Sequence, residues 1–194
     1  MSESAAVVTL TGTRRVLEDE FARVRARGKG SLELPTPVLV SRHRTRVARD
    51  YLIWWIRHAN PSGMFAARTR RLKWLPGPLL LRVLFARGYD GLIYLKDGAV
   101  VGHLFFQRRG AELHGFSTAV NKPFAGAGYS VMIVLDFVTY ASQVPGIVRA
   151  RTGRGQNSTT RRFLQRLAKY EDRLSWKVGE DGWITFREPA PPGR

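Results

Sequence analysis

The chain from residue 91 onward consists of short apolar runs separated by turn residues, which is typical of strands joined by hairpins. The clearest signal is Lys96-Asp97-Gly98, because Asp-Gly favours the tight turn of a two-stranded hairpin. A second turn at Arg108-Arg109-Gly110 predicts that another strand follows it. The predicted strands are residues 92–95, 99–107, 112–120, 147–151, 174–178 and 183–187.

Apolar residues at helical spacing predict helices between and before these strands. Ser41 is a predicted N-cap, and Pro35 and Pro37 make residues 32–40 an edge strand or extended segment. The helix after Ser41 is predicted to present Val47, Tyr51, Trp54, Trp55 and His58 on one face. Residues 14–27, 130–142 and 157–170 are further predicted helices, and the helix at 130–142 is apolar nearly all round. Residues 72–85 are predicted to be a helix or lid, kinked by Pro76-Gly77-Pro78.

The order of these elements predicts the fold class. From residue 91 it reads strand, strand, strand, glycine loop, helix, strand, helix, strand, strand, without a repeat or a dividing linker. We expect one α/β (α+β) domain over residues 1–188, with a mixed, mostly antiparallel central sheet of about six to seven strands flanked by helices. Residues 189–194 are predicted to be a disordered tail.

Charge and cysteine content narrow the functional classes. There are 32 Lys and Arg against 15 Asp and Glu, a formal charge of +17, and residues 51–89 and 137–170 contain no acid. Such a surface attracts polyanions, although an arginine-rich composition alone also produces it. Because there is no cysteine, disulfides, a cysteine nucleophile and a zinc–thiolate site are excluded. With no signal peptide and no apolar stretch long enough to span a bilayer, we expect a cytoplasmic protein without a metal site.

A loop of small residues carries the candidate chemistry. It reads Ala125-Gly126-Ala127-Gly128-Tyr129-Ser130 and opens a predicted helix, so its backbone N–H groups can bind an anion. It lacks the lysine and Ser/Thr of a P-loop, and it follows hairpins rather than a βαβ unit. A plain helix-start turn is the alternative interpretation.

The loop and the element order around it resemble the GNAT superfamily of N-acyltransferases. The family loop reads Arg/Gln, any residue or glycine, any residue, Gly, any residue, Gly/Ala, and it cradles the pyrophosphate of acyl-CoA. Gly128 matches the central glycine, whereas Ala125 stands at the Arg/Gln position and Ser130 at the last small position. The resemblance implies a GNAT-like fold, with residues 1–90 on the acceptor side and residues 91–188 as the acyl-CoA-binding core. It implies cofactor contacts at Ser117, Thr118, Ala119, Val120, Phe124, Ala125, Gly126, Ala127, Gly128, Tyr129, Ser130 and Asn157.

The same resemblance implies the catalytic groups. Glu112 aligns with a glutamate that serves some members as general base, and His114 lies on the same strand face, which makes a proton path between them. The position of the family's general-acid tyrosine falls near Leu164, so Tyr170 is the nearest candidate. A core histidine is the alternative for His114, and a helix N-cap is the alternative for Asn157. His103 is a possible cross-strand neighbour of Glu112 and His114.

These residues predict an N-acyltransferase that moves an acyl group from acetyl-CoA or another acyl-CoA to an amine. Trp54, Trp55 and Trp74 are predicted to contact the acceptor, a small molecule or peptide. One alternative is a GNAT-like enzyme whose donor is an acidic acyl carrier protein or an aminoacyl-tRNA. The other is a non-catalytic nucleic-acid-binding domain, in which aromatic residues among arginines stack bases. The acceptor's identity and the oligomeric state are not readable from the sequence.

Overall fold

A computed structural model describes residues 37–42, 46–58, 70–125, 129–152, 165, 168, 176–179 and 181–186. The predicted helices at 14–27 and 157–170 and the predicted tail therefore lie outside the described residues, apart from residues 165 and 168. The strands are β1 (Pro37–Leu39), β2 (Tyr89–Lys96), β3 (Ala99–Arg109), β4 (Glu112–Val120), β5 (Arg149–Thr152), β6 (Trp176–Val178) and β7 (Trp183–Phe186). The helices are α1 (Arg46–His58), α2 (Gly77–Ala86) and α3 (Tyr129–Gln143), with single 3₁₀ turns at Arg70–Leu72 and Lys122–Phe124.

All seven strands form one sheet in the order β1-β2-β3-β4-β5-β7-β6. Every neighbouring pair is antiparallel except β4 and β5, which are parallel and are connected through α3. The predicted fold class is confirmed, because the sheet is mixed, mostly antiparallel and flanked by helices.

The β2–β3 hairpin has the predicted turn. Asp97 and Gly98 both have positive φ, 50° and 76°, as a two-residue turn that matches the strand twist requires. Gly110, also at positive φ, closes the β3–β4 hairpin. β4 begins and ends at the predicted residues, 112 and 120.

β1 is an edge strand, as its prolines predicted, and Pro37 pairs with Tyr94 at the margin of the sheet. The prediction that Ser41 caps the next helix was wrong. The backbone N–H and hydroxyl of Ser41 both donate to the carboxylate of Asp90, and α1 begins only at Arg46. Ser41 therefore joins the end of β1 to β2.

The two faces of the sheet carry separate cores. α3 packs on β3, β4 and β5, and its residues 132–139 are buried, so the prediction of a helix that is apolar nearly all round is confirmed. Its one buried acid, Asp136, accepts a hydrogen bond of 3.1 Å from the Tyr94 hydroxyl. α1 and α2 form the core of the opposite face with Ile93 of β2 and Phe105 of β3.

The predicted face of α1 was partly wrong. Its buried residues are Ala48, Leu52, Trp55 and Ile56, whereas Val47, Trp54 and His58 are exposed. Trp54 and Trp55 are adjacent on a helix, so only one can point fully into the core. Among the described residues, no helix is long and apolar enough to cross a membrane, and no group of three or more His, Asp or Glu residues could hold a metal ion.

Candidate active site

β4 is paired on both edges only over its first half. β5 pairs with Glu112–Gly115 and ends at Thr152, whereas β3 pairs with β4 up to Val120. Since successive residues of a strand direct their backbone groups to opposite edges, residues 116–120 have N–H and C=O groups pointing away from β3. No described strand pairs with that edge of residues 116–120, because β5 ends at Thr152.

A β-bulge lies in β4 directly after the last residue that pairs with β5. Phe105 pairs with Ser117 and Phe106 with Gly115, so Phe116 is an extra residue in β4. A bulge leaves its extra residue out of the ladder and re-aims the neighbouring side chains. Phe116 and Ser117 consequently both approach the α1 face, where Phe116 packs on Trp55 and Ser117 bonds to His103.

The chain leaves β4 through a short turn that leads to the glycine loop. The 3₁₀ turn at Lys122–Phe124 ends in hydrogen bonds from the N–H of Phe124 to Asn121 and of Ala125 to Lys122. α3 begins at Tyr129, which is buried against Phe124, while Ser130 is exposed. The first turn of α3 has no acid, so the helix dipole there favours an anion. Gly126, Ala127 and Gly128 lie outside the described residues.

Glu112 and His114 are in contact at the start of β4. Leu113 between them is buried beneath α3, so both face the opposite side of the sheet. His114 Nε2 lies 2.7 Å from Glu112 Oε2, and Arg149 Nε donates to Glu112 Oε1 over 2.7 Å. Arg151 lies beside His114 Nδ1 at 3.3 Å. Because a guanidinium only donates, Nδ1 accepts and Nε2 carries the proton that His114 donates to Glu112.

Trp183 of β7 completes this cluster. The guanidinium carbons of Arg149 and Arg151 lie 4.4 and 4.7 Å from the Trp183 ring centroid, and the His114 ring meets it edge-on at 5.1 Å. Cation–π contacts of this kind hold arginine side chains in place. In the described structure these two arginines therefore contact Trp183 and the Glu112–His114 pair.

The surroundings set the protonation of the pair. The hydrogen bond from Arg149 holds the pKa of Glu112 below its ordinary value, and His114 adds to the effect. Burial lowers the pKa of His114, the hydrogen bond to Glu112 partly offsets this, and Arg109 and Arg151 lower it further. At neutral pH the pair is thus a carboxylate and a neutral imidazole, with the imidazole able to take up a proton.

His103 is not beside this pair, so that prediction was wrong. It lies opposite Ala119, whereas Gln107 is opposite His114 and Arg109 is opposite Glu112. His103 lies between Tyr51 of α1 and Ser117 of β4, each hydrogen-bonded to one ring nitrogen at 3.0 Å. Sequence reasoning missed this cluster. Alternation places His103 and Phe105 on one face, but the bulge that brings Ser117 there has no clear signal in the sequence.

The three tryptophans predicted to bind the acceptor differ in solvent exposure. Trp55 is only 6% exposed and packs on Phe105, Phe116 and His103 beneath the bulge. Trp54 is 51% exposed and stacks on Tyr51, and Trp74 is 90% exposed. Trp55 is thus a core residue, and only Trp54 and Trp74 have surface for a ligand. Asn157 and Tyr170 lie outside the described residues.

No protein-family model and no curated protein sequence matches the chain. A protein assigned to the GNAT acetyltransferases from Desulfovibrio desulfuricans is 14% identical, with a TM-score of 0.46, over 74% of this chain and 87% of that one. YhbS from Escherichia coli, a GNAT family N-acetyltransferase solved in complex with CoA, is 13% identical, with a TM-score of 0.43, over 81% and 83%. Gcn5 from Tetrahymena is 14% identical, with a TM-score of 0.41, over 82% and 84%. Likenesses this remote carry no activity over to this chain, so we argue its function from its own residues.

Proposed function

We propose that this chain is an N-acyltransferase that moves an acyl group from an acyl-CoA thioester to an amine. The observation that carries the proposal is the end of β4–β5 pairing at a bulge, directly before a small-residue loop that opens a buried helix. The edge of residues 117–120 that no described strand pairs offers N–H and C=O groups to an extended, amide-bearing arm such as pantetheine. The loop at 124–130 then receives the pyrophosphate.

In this arrangement the thioester lies at the bulge. Backbone N–H groups of residues 117–120 that point away from β3 are suited to polarise its carbonyl oxygen, which gains negative charge when the amine attacks. The acceptor enters on the α1 face, near exposed Trp54. We favour an amine over water or an alcohol only on the resemblance to N-acyltransferases, and the acyl length stays open.

The base in this proposal is His114, with Glu112 as its partner. His114 is two residues before Phe116 on the same strand face, about 7 Å along the strand, so it reaches the bulge directly or through one water. Its neutral imidazole takes a proton from the amine nitrogen, which becomes cationic when it bonds to the carbonyl carbon, and the Glu112 carboxylate stabilises the imidazolium that forms. Tyr170 stays a candidate acid from the resemblance alone.

Hydrogen exchange with bound acetyl-CoA tests the donor site. Exchange of amides in residues 116–120 and 124–130 should slow, while the β2–β3 hairpin should be unaffected. Gly128→Asp should abolish binding measured by calorimetry, because it puts a carboxylate where the pyrophosphate is placed. The matched control is Ala99→Asp, at an exposed position at the start of β3.

The outcomes separate the alternatives. Binding with protection elsewhere would contradict the β4 edge site. No binding of any acyl-CoA by the wild-type chain would contradict the CoA donor and favour an acyl carrier protein or tRNA. Docking of either should weaken steeply with salt, given the charge of +17.

A further inference from the structure

His103 is a polar side chain in an apolar core. It is 1% exposed, its ring stacks on Phe105 with centroids 4.2 Å apart, and Trp55 meets it edge-on. Both ring nitrogens nevertheless have hydroxyl partners, Tyr51 at Nδ1 and Ser117 at Nε2, each at 3.0 Å. Any buried histidine needs hydrogen-bond partners, so the presence of two hydroxyls alone does not indicate a function. Their positions in the fold determine what the Tyr51–His103–Ser117 hydrogen bonds could connect.

The two hydroxyls that bond to His103 belong to different elements, Ser117 to β4 and Tyr51 to α1. Ser117 follows the bulge and belongs to the stretch of β4 that β5 does not pair. Tyr51 is half-buried on α1, under exposed Trp54, and its hydroxyl is also 3.5 Å from Asn121 Oδ1. A continuous path of hydrogen bonds therefore connects Ser117, beside the proposed thioester position, with Tyr51 on α1 and with Asn121.

The path can carry a proton because it has two equivalent directions. A neutral imidazole donates at one nitrogen and accepts at the other. In one direction Tyr51 donates to Nδ1 and Nε2 donates to Ser117. In the other, Ser117 donates to Nε2, Nδ1 donates to Tyr51, and Tyr51 donates to Asn121. Shifting one proton across each bond, while one proton leaves Ser117 and one enters at Tyr51, converts the first into the second, and the imidazole is neutral before and after.

Because His103 and Tyr51 are buried, each disfavours its charged form, so a proton can pass through the hydrogen bonds but is not held on either side chain. Burial lowers the pKa of His103 to about 3 and raises the pKa of Tyr51, partly offset by the Asn121 contact. Near neutral pH both groups are therefore uncharged at rest, as a relay requires. A histidine this hard to protonate is unsuited to act alone as a base.

We propose that Tyr51, His103 and Ser117 form a proton wire that protonates the thiolate leaving group in acyl transfer. This inference rests on the proposed function, which places the thioester beside Ser117. It supplies an acid from within the described residues, for a step that the resemblance would assign to Tyr170.

The step is balanced. The amine nitrogen bonds to the carbonyl carbon, the carbon–sulfur bond breaks, and its electron pair stays on sulfur. Sulfur takes the Ser117 proton, Ser117 takes the Nε2 proton of His103, Nδ1 takes the Tyr51 proton, and water reprotonates Tyr51. The ammonium proton leaves separately through His114 to solvent. After release, the reverse movement with water in the emptied cleft restores the starting tautomer.

The leaving group distinguishes a wire from a structural cluster. An alkyl thiolate has a conjugate-acid pKa of about 8.5, like that of cysteine, so it gains from protonation at neutral pH. An aryl thiolate with an electron-withdrawing ring is far less basic and departs without a proton. We would compare acetyl thioesters of an alkyl thiol and of a nitrothiophenol on Ser117→Ala and Tyr51→Phe. Ser142→Ala and Tyr140→Phe on α3, across the sheet, are the matched controls.

With the alkyl thioester, kcat should fall about 10²-fold or more in Ser117→Ala and Tyr51→Phe, as for loss of an acid catalyst. With the aryl thioester, the kcat of both variants should stay within about threefold of wild type, because the aryl thiolate does not need an acid catalyst. Each of the two variants leaves one buried nitrogen of His103 without its hydroxyl partner, so its melting temperature should fall. CoA affinity should change little, the kcat of the controls should match wild type, and Ser117→Thr should restore activity. Equal losses with both thioesters would overturn the wire and leave the proposed function standing. The wire would also be overturned if kcat with the alkyl thioester alone fell in Tyr170→Phe but not in Ser117→Ala. Failure of the wild-type chain to turn over either thioester would overturn the proposed function and the wire together.

Discussion

Glu112→Gln tests the division of labour between Glu112 and His114. In the wild type, Glu112 accepts from Arg149 with one oxygen and from His114 Nε2 with the other. A glutamine has only one oxygen, so its amide must face either Arg149 or the His114 N–H with a donor. His114 cannot resolve the conflict by changing tautomer, because Arg151 then faces an N–H at Nδ1.

The size of the effect distinguishes two roles for Glu112. If it only stabilises the imidazolium of His114, the variant loses the excess of a charged over a neutral hydrogen bond, about 1–2 kcal/mol. This corresponds to a fall in kcat of about 5- to 30-fold. If Glu112 itself takes the proton, the fall should be about 10²- to 10⁴-fold. Because Arg149 lowers its pKa, we expect the smaller effect.

Steady-state kinetics over a pH series would measure this. In Glu112→Gln the acidic limb of the kcat profile should move to lower pH, since Glu112 raises the pKa of His114. His114→Ala should lose about 10²- to 10⁴-fold, with partial rescue by added imidazole. CoA affinity should be unchanged in both variants. An unaltered profile in Glu112→Gln would remove Glu112 from the mechanism, and full activity in His114→Ala would refute the base assignment.

Two further predictions concern stability. In Gly91→Ala the new Cβ would lie 2.8 Å from Phe105 Cε1 and closer still to Cδ1, so overpacking should cost about 1–3 kcal/mol and lower Tm by about 2–12 °C. Calorimetry should show a smaller cost in a Phe105→Leu background, and an equal cost would contradict the clash. The Glu112–Arg149 pair should add at most about 1 kcal/mol at neutral pH. Because the folded pKa of Glu112 is depressed, this contribution is present above its unfolded pKa and is lost as pH falls through the folded one. The difference in unfolding free energy between wild type and Arg149→Gln, measured with urea, should therefore shrink in acid to what the lost Arg149–Trp183 contact contributes. A difference that does not change with pH would count against the pair.

Local signals accounted for most of the described elements. Turn residues at Gly98 and Gly110 placed the hairpins, and β4 has the predicted bounds because a turn and a loop delimit it. The contact between Glu112 and His114 was also predictable, since it depends only on the period-two alternation of one strand. The buried face of α1 was predicted less well, because two adjacent tryptophans competed for one core position.

The order of the described elements, the fold class and the Glu112–His114 pair were therefore predictable, because they depend on residues close together in the chain. The register of β3 against β4, the bulge at Phe116 and the end of β5 pairing at Gly115 emerge only in the folded chain. It alone joined Tyr51 to His103, 52 residues away, and Arg149 to Glu112, 37 residues away. The physical reason is that strand register is set by packing between distant segments, and one extra residue changes which side chains share a face.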